Sequence, residues 1–187
     1  MSFPKRIKPE DTVFLGDSLT ESFDLQKHFN RPDFINRGMS GNMTDHVLYR
    51  LEEITNAKPA LIFLMIGIND IYQGSDLNQV VKNIEIIIDR IRNESPASLL
   101  IVQSMLPVNE ERLLIDKYIN TKVYEANNRL SVICKKKNLE FIDLHSDFLN
   151  NKGEMNNAYT YDGVHLTEKG YLLWADLLNQ WMDKTTK

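Results

Sequence analysis

A serine follows a short apolar run near the start of this chain, and an aspartate and a histidine stand three residues apart near its end. The serine is Ser18, in Gly16-Asp17-Ser18-Leu19, directly after Val13-Phe14-Leu15. The pair is Asp162 and His165, in Asp162-Gly163-Val164-His165. These are the residue types that covalent ester cleavage needs. A serine hydroxyl is a poor nucleophile until a base takes its proton, and imidazole ionises near neutral pH. The imidazole must also be held in the right tautomer, usually by a carboxylate at its other nitrogen. On a turn, the Asp-x-x-His spacing lets Asp162 reach the back of the His165 ring. No Gly-x-Ser-x-Gly elbow is present, so the pattern is not that of an α/β-hydrolase.

Such a site also needs donors for a tetrahedral oxyanion, and losing one costs roughly 3–4 kcal/mol of barrier. Three groups offer themselves: the backbone N–H of Ser18, the backbone N–H of Gly41 and the side-chain amide of Asn69. Taken alone, Ser18 reads as a helix cap; the downstream Asp-x-x-His and these donors reverse that reading. Asp17 and Asp70 read as structural, bonding backbone amides of their own loops. Asn42 and Arg37 are candidates for substrate contact, Arg37 equally for a structural ion pair. Tyr72, Tyr159 and Tyr161 are candidate pocket walls. His28, His46 and His145 do not repeat the Asp-x-x-His spacing, which argues against a metal site. His28 and His46 read as surface or capping residues, and His145 as a loop residue after the last strand.

The elements that must position these groups alternate in type. Short apolar runs predict strands over Thr12–Leu15, Phe34–Asn36, Leu61–Ile66, Leu99–Ser104 and Glu140–Leu144. Leu61–Ile66 is continuously apolar, as a central strand covered on both faces would be. Helical periodicity runs from Leu77 through Val80, Val81, Ile84, Ile87, Ile88 and Ile91, with Asp76 and Gln79 as a capping box. Further helices are predicted over Thr44–Thr55, Tyr118–Lys137 and Glu168–Met182, the last anchored by Trp174 and Trp181 and started at Thr167. Alternating strands and helices imply a parallel sheet with helices on both faces. Right-handed crossovers put every strand's C-terminal end on one edge, where such folds bind ligands. Gly16-Asp17-Ser18, Arg37–Asn42 and Gly67-Ile68-Asn69-Asp70 each follow a predicted strand, so they should converge there.

Composition narrows the function classes. The 187 residues suit a single domain, and a net charge of −4 with no basic stripe argues against nucleic-acid binding. Lys135-Lys136-Lys137 reads as a solvated helix end. The single cysteine, Cys134, excludes an internal disulfide and a cysteine metal cluster, and its apolar neighbours suggest burial. No run is long and apolar enough to insert in a membrane, and the N-terminus lacks an apolar signal core. The chain therefore reads as cytoplasmic, or as exported if a signal peptide has been removed.

In order along the chain, Gly16-Asp17-Ser18-Leu19, Gly41, Gly67-Ile68-Asn69-Asp70 and Asp162-Gly163-Val164-His165 resemble the blocks of the SGNH, or GDSL, hydrolases. Each block alone is weak; together, in order, they are specific. His46–Glu52, and Leu106-Pro107 after the fourth strand, further resemble the branch of the intracellular platelet-activating-factor acetylhydrolase catalytic subunits and their bacterial relatives. The resemblance implies an α/β fold, a three-layer α/β/α sandwich on a flavodoxin-like five-stranded parallel sheet of order 2-1-3-4-5. It implies Ser18 as nucleophile, His165 as base and Asp162 as its orienter. It implies an oxyanion hole from Ser18 N–H, Gly41 N–H and Asn69, and substrate contacts from Asn42, Leu106 and Val164. It implies no metal, no cofactor, a small-molecule ester as substrate and pairing as a homodimer.

The expectation is a serine esterase acting on short, first of all acetyl, esters. A lysophospholipase or thioesterase is the alternative within the class. A non-catalytic module binding a phosphorylated ligand at the same edge is the alternative outside it.

Overall fold

The computed structural model describes residues 5–114 and 118–185. In chain order the elements are β1 Thr12–Gly16, α1 Ser18–Glu21, α2 Leu25–Phe29, β2 Phe34–Gly38, α3 Thr44–Ala57, β3 Leu61–Met65, α4 Ile68–Tyr72, α5 Leu77–Glu94, β4 Leu99–Gln103, α6 Glu110–Leu113, α7 Ile119–Lys136, β5 Glu140–Ile142, α8 His145–Phe148 and α9 Glu168–Thr185. The five strands form one sheet in the order β2-β1-β3-β4-β5, and every neighbouring pair is parallel. This is the expected topology.

Side-chain alternation along the strands builds two cores. Val13 and Leu15 of β1, Ile62 and Leu64 of β3, and Leu100 and Val102 of β4 face α3, α5 and α7 through Leu51, Ile87 and Leu130. Phe14, Phe63, Met65 and Ile101 point the other way, onto α1, α2, α8 and α9. That second layer is aromatic. Phe14 lies 4.9 Å from Phe63, and Phe23 stacks on Trp174 at 4.6 Å between ring centroids. Trp174 satisfies its buried N–H by donating to Gln103 Oε1 at 2.8 Å. Both faces of the central strands are therefore covered, which is why their sequences read as unbroken apolar runs.

Several local expectations change. The fifth strand ends at Ile142 rather than Leu144, because the Leu144 and His145 amides donate to Ser104 Oγ and turn the chain into α8. Asp76 does cap α5, accepting from the Asn78 amide, but Gln79 donates to Asn83 Oδ1 instead of completing a capping box. His28 is no surface residue: its side chain is 3% exposed and sits against Phe23 and Tyr171. His145 lies in α8 and is buried. Cys134 is buried as expected, and that burial pushes its thiol up to about 11, which keeps it unreactive. The Lys135–Lys137 run ends α7, where Lys137 pairs with Glu85 and Asp89. Among the described residues, no helix is long and apolar enough to cross a membrane.

Candidate active site

All five strands end at one edge, and Ser18, Gly41 and Asn69 follow β1, β2 and β3 there. Asp17 caps α1 by accepting from the Leu19 amide at 3.0 Å, which leaves Ser18 at the first position of the helix with its hydroxyl free for other work. The same short helix is pinned by α9 one residue past Ser18: the Tyr171 hydroxyl donates to the Leu19 carbonyl at 2.9 Å. The base loop runs between a bridge at Thr160 and the start of α9, where Thr167 Oγ1 accepts from the Gly170 amide. Within that loop Asp162 Oδ1 accepts from the amides of Val164 and His165, at 2.9 and 2.8 Å.

The structure brings Ser18, His165 and Asp162 into one line. Asp162 Oδ2 lies 2.6 Å from His165 Nδ1, and His165 Nε2 lies 3.1 Å from Ser18 Oγ. With the ring proton on Nδ1, facing Asp162, Nε2 is left as acceptor for the Ser18 hydroxyl. Partial burial pulls the Asp162 carboxyl up, but the bonds from His165 and the two amides outweigh it and hold the group below the usual carboxylate range. Asp162 is therefore ionised at neutral pH and can stabilise an imidazolium formed beside it. Tyr161 stacks on the His165 ring at 6.0 Å with an interplanar angle of 17°.

The three candidate oxyanion donors sit on neighbouring loops. Gly41 adopts φ +72, a left-handed conformation that favours glycine, and an added Cβ would meet no protein atom within 4 Å. Asn69 is the second residue of α4, just beyond β3, and its Nδ2 donates to the Asn42 carbonyl at 2.9 Å. One amide proton of Asn69 is thereby fixed, which orients the second. Asn42 itself is held, its Oδ1 accepting from Arg50 Nε at 2.9 Å. Arg50 also donates to the Gly16 and Arg37 carbonyls at 3.0 and 2.9 Å, tying together the ends of β1 and β2. Asp70 accepts from both the amide and the hydroxyl of Thr44, at 3.0 and 2.6 Å, and so fixes the start of α3.

A cavity of about 240 Å³ opens beside His165. Ile68, Tyr72, Leu113 and Val164 give it apolar walls, and Asn69, Asp162 and His165 supply its polar groups. Val164 and Tyr72 are thus where substrate contact was expected. Leu106 is not: it is 1% exposed and packs in the aromatic core layer. Tyr159 packs on Phe148, away from the cavity. Arg37 makes the structural ion pair, with Glu53 at 2.9 Å. Leu113, Arg50 and Tyr171 were not singled out from sequence. A larger hollow, of about 590 Å³, lies between Arg6, Lys8, Arg37 and Glu53 and includes none of Ser18, Gly41, Asn69, Asp162 and His165. Among the described residues no cluster of three or more His, Cys, Asp or Glu side chains could hold a metal.

Known proteins resemble this chain in sequence and fold. The model of the GDSL-like Lipase/Acylhydrolase family matches residues 14–173. The rat (Rattus norvegicus) platelet-activating factor acetylhydrolase IB subunit alpha2 is 29% identical over 171 residues, covering 88% of this chain and 72% of its own. A GDSL-like lipase from Bacteroides thetaiotaomicron VPI-5482 superposes with a TM-score of 0.85 at 26% identity, over 95% of this chain and 89% of that one. An acetyl xylan esterase shares the fold at 20% identity, with a TM-score of 0.78 over 91% of this chain and 98% of its own.

Proposed function

Because the chain belongs to the GDSL-like lipase/acylhydrolase family, we propose that it is a serine esterase that hydrolyses short-chain carboxylic esters, acetyl esters first, through an acyl-enzyme on Ser18. The observation that carries this reading is the continuous hydrogen-bond line from Ser18 Oγ through the His165 ring to Asp162.

The chemistry follows from that line. His165 Nε2 takes the hydroxyl proton as Ser18 Oγ bonds to the ester carbonyl carbon. The carbonyl oxygen becomes an oxyanion, bound by the Ser18 and Gly41 amides and the free Asn69 amide proton. The imidazolium then gives its proton to the leaving alcohol oxygen as the C–O bond breaks. Water enters, loses a proton to His165, attacks the acyl carbon and releases the carboxylic acid, with the proton returned to Ser18. Asp162 stays ionised throughout and keeps the imidazole in the working tautomer.

Two observations support a small acyl group. The cavity beside His165 holds only about 240 Å³, below the usual range for a drug-sized ligand. The chain also resembles acetylhydrolase subunits. The test is hydrolysis of p-nitrophenyl esters across acyl lengths. Rates falling steeply beyond acetyl, and abolished by Ser18→Ala, are expected. A maximum at long acyl chains would instead favour a lysophospholipase or thioesterase, and no turnover at any length would sink the esterase reading.

A further inference from the structure

The two residues that must hold the reactive geometry are poorly buried: the Asp162 side chain is 41% exposed and the His165 side chain 36%. Packing holds the turn only at Gly163, which is buried against α6, so hydrogen bonds must set the two exposed side chains. Within the loop the Val164 and His165 amides donate to Asp162, the Gly163 amide to Thr160 Oγ1 and the Tyr161 amide to the His165 carbonyl. Beyond Ser18, two further bonds reach the loop from α6 and its N-cap, Asn109.

Two carbonyls flank Asp162, and α6 grips both. The Asn109 amide donates to the Gly163 carbonyl at 2.7 Å, and Arg112 Nη1 donates to the Tyr161 carbonyl at 2.7 Å. The guanidinium is aimed by a second bond, from Nε to Asn157 Oδ1 at 3.2 Å. Asn109 completes the frame, accepting from the Arg112 amide at 2.9 Å and donating to the Met155 carbonyl at 2.8 Å. Contact is close enough that a Cβ on Gly163, at φ +106, would lie 2.9 Å from both the Asn109 carbonyl and Leu113 Cγ.

We propose that Arg112 is a positioning residue for the reaction, holding the Asp162–His165 pair in register by fixing the Tyr161 carbonyl. The physical route is short. That carbonyl belongs to the peptide that ends in the Asp162 nitrogen, so its direction sets the plane from which the Asp162 side chain projects. The same bond holds Tyr161, whose ring lies nearly parallel to the His165 ring, 6.0 Å between centroids. An exposed arginine usually contributes little, but here its charge-assisted bond fixes one specific peptide plane. The role presumes the esterase reading above; the geometric claim does not.

The test pairs kinetics with the Asp162–His165 hydrogen bond itself. A proton in so short an N–H···O bond gives a far low-field NMR signal. Arg112→Ala is expected to lower kcat for p-nitrophenyl acetate at least tenfold, with KM changed less than twofold. It should also abolish or broaden the low-field signal, well below the unfolding temperature. Arg112→Lys should recover part of both, since an ammonium can still donate to the Tyr161 carbonyl. Asn157→Ala leaves Arg112 present but unaimed, and should weaken the signal even if the Arg112 variants do not fold. A signal and kcat within twofold of the native values in these variants would overturn the proposal. A protein that cleaves no ester, yet loses the signal in Arg112→Ala, would sink the esterase reading and leave the positioning claim standing.

Discussion

Ser18 Oγ and His165 Nε2 lie 3.1 Å apart although 147 residues separate them in the chain. Two elements close that distance. The parallel sheet delivers Ser18 at the end of β1, between β2 and β3. Helix α9, which starts three residues beyond His165, packs beneath the sheet and bonds through Tyr171 to the Leu19 carbonyl, one residue past the serine. The two ends of the chain are thus locked at the point where they must react.

Asp162→Asn keeps the side chain's shape but reverses the demand on the imidazole, since an amide donor can face Nδ1. The ring would then carry its proton on Nε2, where it cannot accept from Ser18. The expected loss in kcat is on the order of 10⁴ with little change in the unfolding midpoint. Steady-state kinetics and thermal unfolding of the same preparation check both halves. A loss of less than about tenfold would mean that the carboxylate does not orient the base.

Asn69→Ala removes the side-chain donor aimed by the Asn42 carbonyl. The expected effect is a kcat lower by about 10²–10³ at nearly constant KM, because the bond strengthens only as charge develops on the oxygen. A rise in KM with kcat unchanged would place Asn69 in ground-state binding instead.

Asp17 predicts a pH dependence of stability. Burial pushes its carboxyl up to about 7, against the bond from Leu19 and the attraction of His165; one of its oxygens, Oδ2, has no hydrogen-bond partner among the described residues. Between the unfolded value near 3.9 and about 7, the folded protein holds a proton that the unfolded chain has released. Its contribution to stability is therefore complete at low pH and is lost as pH rises through about 7. Asp17→Asn retains an oxygen to accept from Leu19 but has no charge to bury. The unfolding midpoint of the variant, relative to native, should rise between pH 5 and pH 8. A difference that stays flat over this range would contradict a raised Asp17.

Much of this was legible in the residues. Runs such as Leu61–Met65 announce buried strands because both faces are covered. The loops after β1, β2 and β3 carry the polar groups because a parallel sheet puts those ends together. What was hidden depends on distant acceptors or short elements. Arg50 looks like any residue on the polar side of α3, since the carbonyls it serves lie on other strands. Leu113 is on a four-residue helix, too short to show a period. Leu106 is apolar and follows a strand, which fits a pocket wall as well as a core position; the aromatic layer takes it. Tyr159 and Tyr161 differ by two residues, yet one packs on Phe148 and the other on His165.

Whether Ser18 is the nucleophile activated by His165 is decided by intact and peptide mass spectrometry after exposure to a fluorophosphonate. Fluoride leaves as the serine oxygen bonds to phosphorus. A single adduct on the peptide carrying Ser18 is predicted, absent from Ser18→Ala and formed far more slowly in His165→Ala. No adduct, or one elsewhere that survives Ser18→Ala, would contradict the account.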